Sequence, residues 1–443
     1  MKKKVVSVLV ASALAVSCAP AAFAGETEAS TEASVSFEIP SSADFEDAYD
    51  ESFDYGSGDI KIWVAENVVD FTKQVAEEYI ASHSALSGYT VTVEPVGEGD
   101  AATNMITDVE AGADIYGFAQ DQLARLVAAG ALEEVAPDNV DAIKEANDEG
   151  SVAAATVGDT LYAYPETSDN GYFLYYDKSV VTDPTSLEKI VEDCEKAGKS
   201  FYFEINSGWY QPAFFFGAGC TLKYDTDTDG NFTTATVDYA NEKGVAAMKA
   251  MIKLHQSAAF QNGSSASDAT HYSPIVDGTW DAATVQEAFG DNYACAKLPS
   301  YTTEDGTAVQ LGGFSGYKLM GEKPQEDEAK LAACDLLINY LTSEPVQLAR
   351  YNAVQWGPSN KNAQADDAVK SNAALAALNE QMAFDIPQGQ YPGDYWSLAT
   401  GLGDSIIGGD YDNASDDDLM AALTDFQTTC QGYAAGVAET EAE

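Results

Sequence analysis

The segment that decides the fold reads DIKIWVAENVVDFTKQVAEEYIASHSALSGYTVTVEPVGEGDAATNMITDVEAGADIY, residues 59–116. Its first part, Ile60–Val64, alternates in polarity like a strand, and Asp70–His83 then repeats with the period of a helix. Tyr89–Val96 alternates again, and after a second helical stretch Asp114–Tyr116 has the composition of a short buried strand. This order of strands and helices predicts a parallel sheet with helices on both faces.

The same alternation continues along the rest of the chain. We expect strands at Thr160–Pro165, Tyr172–Tyr176 and Leu311–Met320, and helices at Ser186–Ala197, Asn241–Ala259 and Glu328–Leu341. A chain of 443 residues is long enough for more than one lobe. The predicted fold class is therefore α/β with two lobes, and the cleft between them is the default ligand site.

The N-terminus has the three parts of a secretory signal over Met1–Ala24. Lys2, Lys3 and Lys4 give a positive start, an apolar run follows, and Ala22-Phe23-Ala24 offers small residues for cleavage. The apolar run is about a dozen residues long, whereas a membrane-spanning helix needs roughly 20. We therefore expect the protein to be exported and to work outside the cytoplasmic membrane.

Cys18 leaves the processing of this signal open. The segment Ala15-Val16-Ser17-Cys18 is a loose version of a lipidation site, so lipid attachment at Cys18 competes with cleavage after Ala24. Residues 25–57 are rich in Glu, Ser, Thr, Ala and Asp, which predicts a disordered acidic tether. A lipid anchor with such a tether suits a cell without an outer membrane, whereas simple cleavage is sufficient in a periplasm.

The balance of charge narrows the possible partners. The chain carries 72 acidic and 22 basic residues, a net charge of −50. Phosphate backbones and anionic lipid surfaces would be repelled, which argues against nucleic acid and against peripheral membrane docking. Hydrophobic residues nevertheless make up 45% of the chain and aromatic residues 11%, which is typical of a protein with a large core.

Cysteine and histidine usage argues against a metal centre or cofactor. The cysteines after the signal region are odd in number, far apart and without a CxxC pair: Cys194, Cys220, Cys295, Cys334 and Cys430. We expect buried free thiols, with one disulfide as the alternative. The histidines His83, His255 and His271 are scattered, and the chain contains no G-x-S-x-G or H-E-x-x-H motif. We expect no cofactor.

Several short segments follow one another in the order and spacing of a known family. They are Ile60–Trp63, Gly112–Ile115, Tyr162–Glu166, Asp277–Trp280, Lys297–Pro299, Gly312–Gly316, Ile386–Pro387 and Tyr395–Trp396. In this order they resemble the extracellular solute-binding proteins of ABC transporters, and in particular the maltose/maltodextrin-binding group. The resemblance extends from Asp59 to about Gly432.

The resemblance implies a two-lobed, periplasmic-binding-protein-like fold with a hinged cleft. The N-lobe would comprise residues 58–168 and 315–366, and the C-lobe residues 171–311 and 370–435. The chain would cross between the lobes near Ser168–Gly171, Gly312–Gly316 and Ala365–Val369, and closure around a ligand would be a hinge motion at these crossings.

Aromatic side chains are the first candidates for a sugar site. A sugar presents C–H groups on its ring faces and hydroxyls on its edge, so its site combines flat aromatic rings with carboxylates and amides. The candidates follow predicted strands or turns: Trp280, Trp396, Tyr395, Trp209 and Tyr210. The resemblance places Trp280 and Trp396 at stacking positions. A core position is the alternative for each candidate; Trp356 is open between cleft and core, and Trp63 is expected in the core.

Polar candidates lie in the loops that follow the predicted strands. Phe118 and Asp121 occupy a loop where the resemblance implies an aromatic ring and a carboxylate that accepts sugar hydroxyls. The family often has a larger aromatic residue and an arginine here, but this chain has Gln122 at the second position, which leaves the hydroxyl pattern open. Asp169 matches a carboxylate position at the hinge. The remaining candidates, for which a solvated surface is the alternative, are Glu66, Asn67, Glu98 and Asp100.

One acidic segment allows two interpretations. Asp225, Asp227, Asp229 and Gly230 match the opening of a calcium-binding loop, but the twelfth position is Thr236, where a bidentate Glu is needed. The resemblance places the segment at the tip of a β-hairpin, and Asp-Gly suits such a turn. We favour the hairpin and keep calcium as the weaker alternative.

The function predicted from these features is capture of a soluble oligosaccharide, in particular a maltose/maltodextrin-type α-glucan, and its delivery to the permease subunits of an ABC transporter in the membrane. We expect a monomer that is not an enzyme. The alternatives are a binding protein for another oligosaccharide, a secreted carbohydrate-active enzyme, and a surface adhesin or carbohydrate-binding module without a transporter. An enzyme would need a fixed pair of acidic residues, which no motif here specifies.

Overall fold

The computed structural model of the chain describes residues 37–267 and 273–435, except for residues 44 and 46. The predicted signal at Met1–Ala24, the lipidation candidate Cys18 and residues 25–36 of the predicted tether lie outside the described residues, as does His271.

The described strands are short except for the two that cross the centre of the molecule. In chain order they are β1 Gly58–Val64, β2 Tyr89–Pro95, β3 Ile115–Ala119, β4 Thr156–Val157, β5 Thr160–Leu161, β6 Tyr164–Asp177, β7 Phe201–Tyr202, β8 Leu222–Thr226, β9 Phe232–Val237, β10 Phe260–Gln261, β11 Ile275–Gly278, β12 Tyr293–Ala296, β13 Ser300–Thr302, β14 Ala308–Gln310, β15 Phe314–Glu322 and β16 Ile386–Pro387.

Helices dominate the last third of the chain. In chain order they are α1 Val69–Ser82, α2 Ala101–Thr107, α3 Leu123–Ala128, α4 Pro137–Ala146, α5 Glu149–Ala154, α6 Leu187–Ala197, α7 Pro212–Gly217, α8 Glu242–His255, α9 Ala282–Phe289, α10 Glu328–Leu341, α11 Glu344–Val354, α12 Lys361–Gln364, α13 Asp367–Lys370, α14 Ala373–Gln381, α15 Gly393–Ile407 and α16 Asp416–Ala435. Single 3-10 turns occur at Glu66–Val68, Ser84–Leu86, Gln120–Gln122, Thr279–Asp281 and Gly290–Asn292.

The main sheet has the strand order β10-β7-β11-β6-β15-β3-β1-β2, with β12 added beside β6 and β16 beside β15. β1 pairs in parallel with β2 and β3, which confirms the βαβαβ unit predicted for residues 59–116. β15 pairs antiparallel with both β3 and β6. The expectation of a parallel sheet therefore holds for this unit, whereas the sheet as a whole is mixed.

The buried side chains form separate cores. The first core surrounds β1–β3, α1 and α10 and includes Ile62, Tyr79 and Leu337. The second surrounds β8, α7, α8, α15 and α16 and includes Phe215 and Leu423. A smaller third core joins β11, α9 and α14. We call the part of the chain around the first core the N-lobe, and the part around the second and third cores the C-lobe.

Two neighbouring strands run through both lobes. β6 begins at Tyr164 in the first core and reaches Tyr172 in the second, while β15 begins at Phe314 in the second core and reaches Leu319 in the first. The two strands pair antiparallel with each other where they cross. The predicted two-lobed α/β fold is confirmed, and this strand pair connects its lobes.

The prediction of separate strands at Thr160–Pro165 and Tyr172–Tyr176 is wrong. The structure has the short β5 and then one strand of 14 residues, β6, that includes the polar stretch 166–171. Polar composition suggested a loop there. The stretch is a strand because its backbone pairs with β15 while both strands pass from one lobe to the other.

The prediction of a disordered tether is wrong for residues 37–57, which we call the strap. The strap packs on the first core: Phe37 meets Phe71 at 5.7 Å between ring centroids, and Phe45 meets Tyr340 at 5.1 Å. Tyr340 also donates a hydrogen bond of 2.8 Å to the Pro40 carbonyl. Although the strap is acidic overall, it has aromatic residues at intervals. Packing these residues on the N-lobe offsets the conformational entropy that is lost when the segment becomes ordered.

Among the described residues, no helix combines the length and the apolarity that crossing a membrane requires. The five described cysteines have free thiols; four are buried and Cys295 is partly buried. This agrees with the free thiols expected from their spacing, and it leaves the alternative of a disulfide without support among these residues.

Candidate functional site

A cavity of about 500 Å³ lies between the two lobes, a size typical of a small-molecule site. Four of the five tryptophans of the chain line it. The lining residues are Ala65, Glu66, Asn67, Glu98, Gly99, Ala119, Asp121, Gln122, Asn170, Trp209, Trp280, Asp281, Lys318, Trp356, Gln388 and Trp396.

The N-lobe contributes polar groups from the ends of its parallel strands. Glu66 and Asn67 follow β1, Glu98 follows β2, and Asp121 follows β3. The carboxyl ends of parallel strands meet at one edge of a sheet, so these loops come together at the cavity. Gln122 ties two of the loops to each other, because its amide nitrogen donates to the carbonyls of Glu98 (2.6 Å) and Gly99 (2.8 Å).

The C-lobe contributes three aromatic rings. Trp209 precedes α7, Trp280 lies in the 3-10 turn after β11, and Trp396 lies in the first turn of α15. Trp209 is stacked on Phe314, with 5.0 Å between ring centroids and an interplanar angle of 18°. Stacking from behind holds the ring in place and leaves the other face for a ligand.

Glycine makes room for the Trp280 ring. A β-carbon built on Gly278 would overlap that ring, so the sequence Asp277-Gly278-Thr279-Trp280 is a packing requirement. The Thr279 hydroxyl donates to Asp169 at 2.5 Å, which joins this turn to the crossing strand β6. The Trp280 carbonyl accepts a bond of 3.4 Å from the Asn67 amide of the N-lobe. The turn that carries the ring is therefore bonded both to the crossing strand and to the N-lobe.

Asp121 is held at the junction of the lobes. Its carboxylate accepts a hydrogen bond of 2.9 Å from Gln388, whose amide oxygen in turn accepts one of 3.3 Å from Asn170. Burial raises the pKa of Asp121 to about 7, against the opposing effects of Arg125 and of the Gln388 hydrogen bond. The group therefore titrates near neutral pH and can bind as an acceptor or as a donor.

Lys318 is the one basic side chain among the described residues that line the cavity. It points from β15 toward Trp356 and Trp280, with its ammonium nitrogen 3.5 Å and 5.4 Å from the respective ring centroids. The acidic residues of the lining, Glu66, Glu98, Asp121 and Asp281, outnumber it. Aromatic faces with many acceptors and one strong donor can hold a polyhydroxylated ring compound.

The structure brings together seven of the residues predicted from the sequence. Trp280, Trp396, Trp209, Asp121, Glu66, Asn67 and Glu98 all line the cavity, although the sequence left a core or surface position open for several of them. Trp356, which was open between cleft and core, is almost fully buried and yet forms part of the wall. Trp63 is half-buried and lies outside the cavity, where its indole nitrogen donates a hydrogen bond of 2.9 Å to Glu94.

Three predicted aromatic residues are core residues instead. Tyr210 is buried, and its hydroxyl lies 3.4 Å from the Asp277 carboxylate. Tyr395 is fully buried, and its hydroxyl donates a hydrogen bond of 3.1 Å to the Gly208 carbonyl. Phe118 is fully buried in the first core. Phe118 lies inside β3, Tyr395 in the first turn of α15, and Tyr210 in the turn before α7. All three side chains pack into a core, whereas Trp209 and Trp396, the neighbours of Tyr210 and Tyr395, line the cavity.

Two predicted carboxylates also lie outside the lining. Asp169 is buried and accepts bonds of 2.5 Å from both Thr279 and the Gly357 backbone, so it connects the segments that carry Trp280 and Trp356. Asp100 is exposed at the start of α2. Asp169 therefore positions the site, and Asp100 belongs to the solvated surface.

Several lining residues were not among those predicted from the sequence: Asn170, Asp281, Lys318 and Gln388. Two of them had a local signal, since Asp281 directly follows Trp280 and Asn170 directly follows Asp169. Lys318 is the single charged residue in the predicted strand Leu311–Met320, and that contrast is itself a signal. Gln388 had no local signal, because its position in the cavity wall depends on the packing of the Gln388–Tyr391 segment against Asp121.

The predicted hairpin at residues 225–230 is confirmed as β8 and β9. Asp227 accepts bonds from the backbone of Asp229 (3.0 Å) and Asn231 (2.9 Å), while Asp225 accepts 2.7 Å from Thr234. Within the described part of the chain, no three acidic, cysteine or histidine side chains are gathered as a metal site requires. The calcium interpretation is not supported among the described residues, because Asp225 and Asp227 use carboxylate oxygens for hydrogen bonds inside the hairpin.

The family described as bacterial extracellular solute-binding protein matches residues 74–377 of the chain. The galactooligosaccharide-binding protein of Bacillus subtilis (strain 168) is 23% identical over 307 residues, which cover 65% of this chain and 70% of that protein.

Solved structures share the fold over most of the chain. A structure with acarbose is 25% identical, with a TM-score of 0.72, over 85% of this chain and 99% of the other. A maltodextrin-binding protein from L. casei BL23, solved without ligand, is 22% identical, with a TM-score of 0.69 and the same shares of both chains.

Proposed function

Because the chain belongs to the bacterial extracellular solute-binding protein family, we propose that it captures a soluble oligosaccharide outside the cytoplasmic membrane and delivers it to the permease of an ABC importer. The observation that carries the proposal is the interlobe cavity, where tryptophan rings from the C-lobe face carboxylates and amides of the N-lobe. Rings that stack on sugar faces, opposite acceptors for hydroxyls, match the two kinds of surface that a sugar presents.

The ligand class we favour is a maltose/maltodextrin-type α-glucan. The similarity to a structure with acarbose and to a maltodextrin-binding protein supports this class. A galactooligosaccharide is the second candidate, favoured by the relative from Bacillus subtilis. Both candidates use the same wall of tryptophans, and they differ in which hydroxyls meet Asp121, Glu66 and Glu98.

Isothermal titration calorimetry against a glycan panel tests the ligand class. The panel contains maltotriose, maltotetraose, acarbose and a β-linked galactooligosaccharide. We expect an α-glucan to bind in the micromolar range, about −8 kcal/mol, and the galactooligosaccharide to bind more weakly. Binding of the galactooligosaccharide alone would establish the second candidate as the ligand class. The absence of binding heat with every sugar of the panel would reject oligosaccharide binding.

We also propose that the protein binds its ligand without chemical turnover. Asp121, the lining carboxylate at the junction of the lobes, is engaged by Gln388 instead of standing free as a member of an acidic pair. Long incubation with maltotriose followed by chromatography should return the intact trisaccharide. Release of glucose or maltose by the purified protein, lost on substitution of a lining carboxylate, would establish the carbohydrate-active enzyme instead.

The proposed location is the outer side of the cytoplasmic membrane, with the permease subunits as the partner and a monomer as the working form. Mass spectrometry of the mature N-terminus distinguishes lipid attachment at Cys18 from cleavage after Ala24. Reconstitution with the cognate permease in proteoliposomes tests the partnership, since ligand-stimulated ATP hydrolysis should depend on the added binding protein. A permease that works equally well without the protein would contradict it.

A further inference from the structure

The ligand cavity carries an excess of negative charge. Among the described residues, its lining contains four carboxylates and one ammonium group, that of Lys318. The carboxylates are those of Glu66, Glu98, Asp121 and Asp281. Within the same part of the chain, none of the four forms an ion pair with a basic side chain. Even when Asp121 is protonated, the other three carboxylates outnumber the ammonium group.

The hydrogen-bonding groups of the lining are unbalanced in the same direction. Each side-chain amide of the lining already donates to an oxygen of the protein. These amides belong to Asn67, Gln122, Asn170 and Gln388. By contrast, the carboxylates of Glu66 and Glu98 accept no hydrogen bond from the described residues. Asp281 accepts one, of 2.9 Å, from the backbone nitrogen of Ala266. The cavity therefore offers acceptors whose donors must come from the ligand or from water.

One corner of the cavity concentrates this charge. Glu98 and the buried Glu166 approach each other across Gly117, where a β-carbon would lie 3.7 Å from a Glu166 carboxylate oxygen and 3.8 Å from the Glu98 γ-carbon. Glu166 is paired with Arg350, with 3.3 Å between the guanidinium nitrogen and the carboxylate oxygen. Burial raises the pKa of Glu166, while Arg350 opposes this rise and Glu98 adds to it. Because Arg350 is already paired with Glu166, Glu98 has no cation of its own.

An ammonium group on a sugar complements each of these features. It supplies three donors and no acceptor, whereas a hydroxyl brings acceptor lone pairs together with its donor. Hydrogen bonds between charged partners are roughly twice as strong as those between neutral ones, and the faces of tryptophan rings attract cations. A carboxylated or sulfated sugar would instead be repelled by the carboxylates of the lining.

We propose that the cavity selects an oligosaccharide that carries a protonated amino group over the neutral sugar of the same size and linkage. This selection rests on the proposed function, because it concerns the ligand of the same cavity. The ammonium group binds at the corner of Glu98, while the sugar rings stack on the tryptophans of the C-lobe. The net charge of −50 on the chain also steers cationic ligands toward the protein.

Two matched pairs of sugars test this selection by calorimetry. Maltotriitol is compared with its 1-amino-1-deoxy derivative, and cellotriose with the β-1,4-linked glucosamine trimer, at a mildly acidic pH that keeps the amines protonated. Salt at about 0.15 M suppresses the general attraction of cations to the acidic surface. We expect the amino sugar to have a Kd about tenfold lower than its neutral partner in the pair whose linkage binds. Equal Kd values would overturn the selection and leave oligosaccharide capture intact. The absence of heat with all four sugars would also overturn it, and the glycan panel then decides separately whether oligosaccharide capture survives.

Glu98→Gln tests the corner itself, with Asp100→Asn as the matched control. Both substitutions remove one negative charge from the loop after β2, but Glu98 lines the cavity whereas Asp100 is exposed outside it. The readout is the ratio of the Kd values of the neutral and the amino sugar. We expect Glu98→Gln to reduce this ratio from about tenfold to nearly one, and Asp100→Asn to keep it. A ratio that falls equally in both variants would assign the effect to the net charge of the chain and overturn the selection by the cavity. A ratio that survives in Glu98→Gln would overturn the place assigned to the ammonium group.

Discussion

The ammonium nitrogen of Lys318 lies 3.5 Å from the centroid of the Trp356 ring. One face of the ring is therefore covered by a cation, and Trp356 holds Lys318 in place instead of offering that face to a sugar. Lys318 is only 4% exposed, yet it belongs to the wall of the cavity. We therefore expect different roles for the tryptophans of the site: Trp356 supports a donor, whereas Trp209, Trp280 and Trp396 provide stacking surfaces.

Lys318→Met should weaken ligand binding. Methionine keeps the apolar stem against Trp356 but removes the charged donor, and a hydrogen bond to a charged group contributes about 1.5–3 kcal/mol, or at least tenfold in affinity. Lys297→Met is the control, because Lys297 also lies over an aromatic ring, 4.8 Å from the centroid of Phe384, but outside the cavity lining. Calorimetry with maltotriose measures both. If the two variants bind equally well, Lys318 does not contact the ligand.

Trp280→Ala and Trp396→Ala should each reduce affinity by more than about 1 kcal/mol, on the scale of a lost aromatic contact. Trp63→Ala is the control, since Trp63 is partly exposed outside the cavity and bonds to Glu94. Ligand-induced change of tryptophan fluorescence and calorimetry report the effect. Wild-type affinity in both cavity variants would place the ligand elsewhere.

Asp121 should make stability depend on pH in a defined direction. Burial raises its pKa in the folded protein to about 7, above the ordinary value of 3.8. Between these two values the folded state keeps a proton that the unfolded state loses, so this group lowers the free energy of unfolding progressively as pH rises from about 4 to 7. Asp121→Asn cannot ionise and should escape this loss.

The measurement is the difference in melting temperature between Asp121→Asn and the wild type across pH 4 to 9. Other buried carboxyl groups titrate equally in both proteins and cancel in the difference. We expect the difference to move in favour of the variant as pH rises and to level off above about pH 8. A difference that stays constant with pH would show that Asp121 does not titrate in this range.

The strap should contribute to the stability of the N-lobe. Phe45 is half-buried against Tyr340, whereas Phe53, in the same strap, is 46% exposed. We expect Phe45→Ala to lower the free energy of unfolding by about 1–2 kcal/mol, less than the 3–5 kcal/mol typical of a fully buried phenylalanine. Phe53→Ala should have a smaller effect. Urea unfolding compares the two, and identical midpoints would mean that the strap does not pack in solution.

Local periodicity was enough to predict the first strands and helix of the fold. β1, α1, β2 and β3 were readable from residues 59–116, and α10 matches the predicted Glu328–Leu341 helix, because hydrophobic alternation along a strand or helix is a property of neighbouring residues. The same local logic located the loops that follow strands, and with them Trp280, Asp121 and Glu66.

Local sequence could not distinguish neighbours that face opposite sides of the backbone. Trp209 lines the cavity while Tyr210 is core, and Trp396 lines it while Tyr395 is core. Each pair has the same local context, and the direction of a side chain is decided by which lobe packs against the turn. The average composition of the strap wrongly predicted disorder for a related reason. Its few aromatic residues pack on α1 and α10, and such distant partners cannot be inferred from local composition.

By itself, the sequence determined the alternation of strands and helices and the turn at Asp225–Gly230, because each follows from residues close together in the chain. Chain length and the family resemblance predicted the two lobes and the tryptophans of the site. Only the tertiary structure decided that Lys318 lies on Trp356, that Gln388 bonds to Asp121, and that Thr279 bonds to Asp169. The physical reason is sequence separation. The last two of these contacts join residues more than a hundred positions apart, and they exist only where the packing of separate cores brings these segments together.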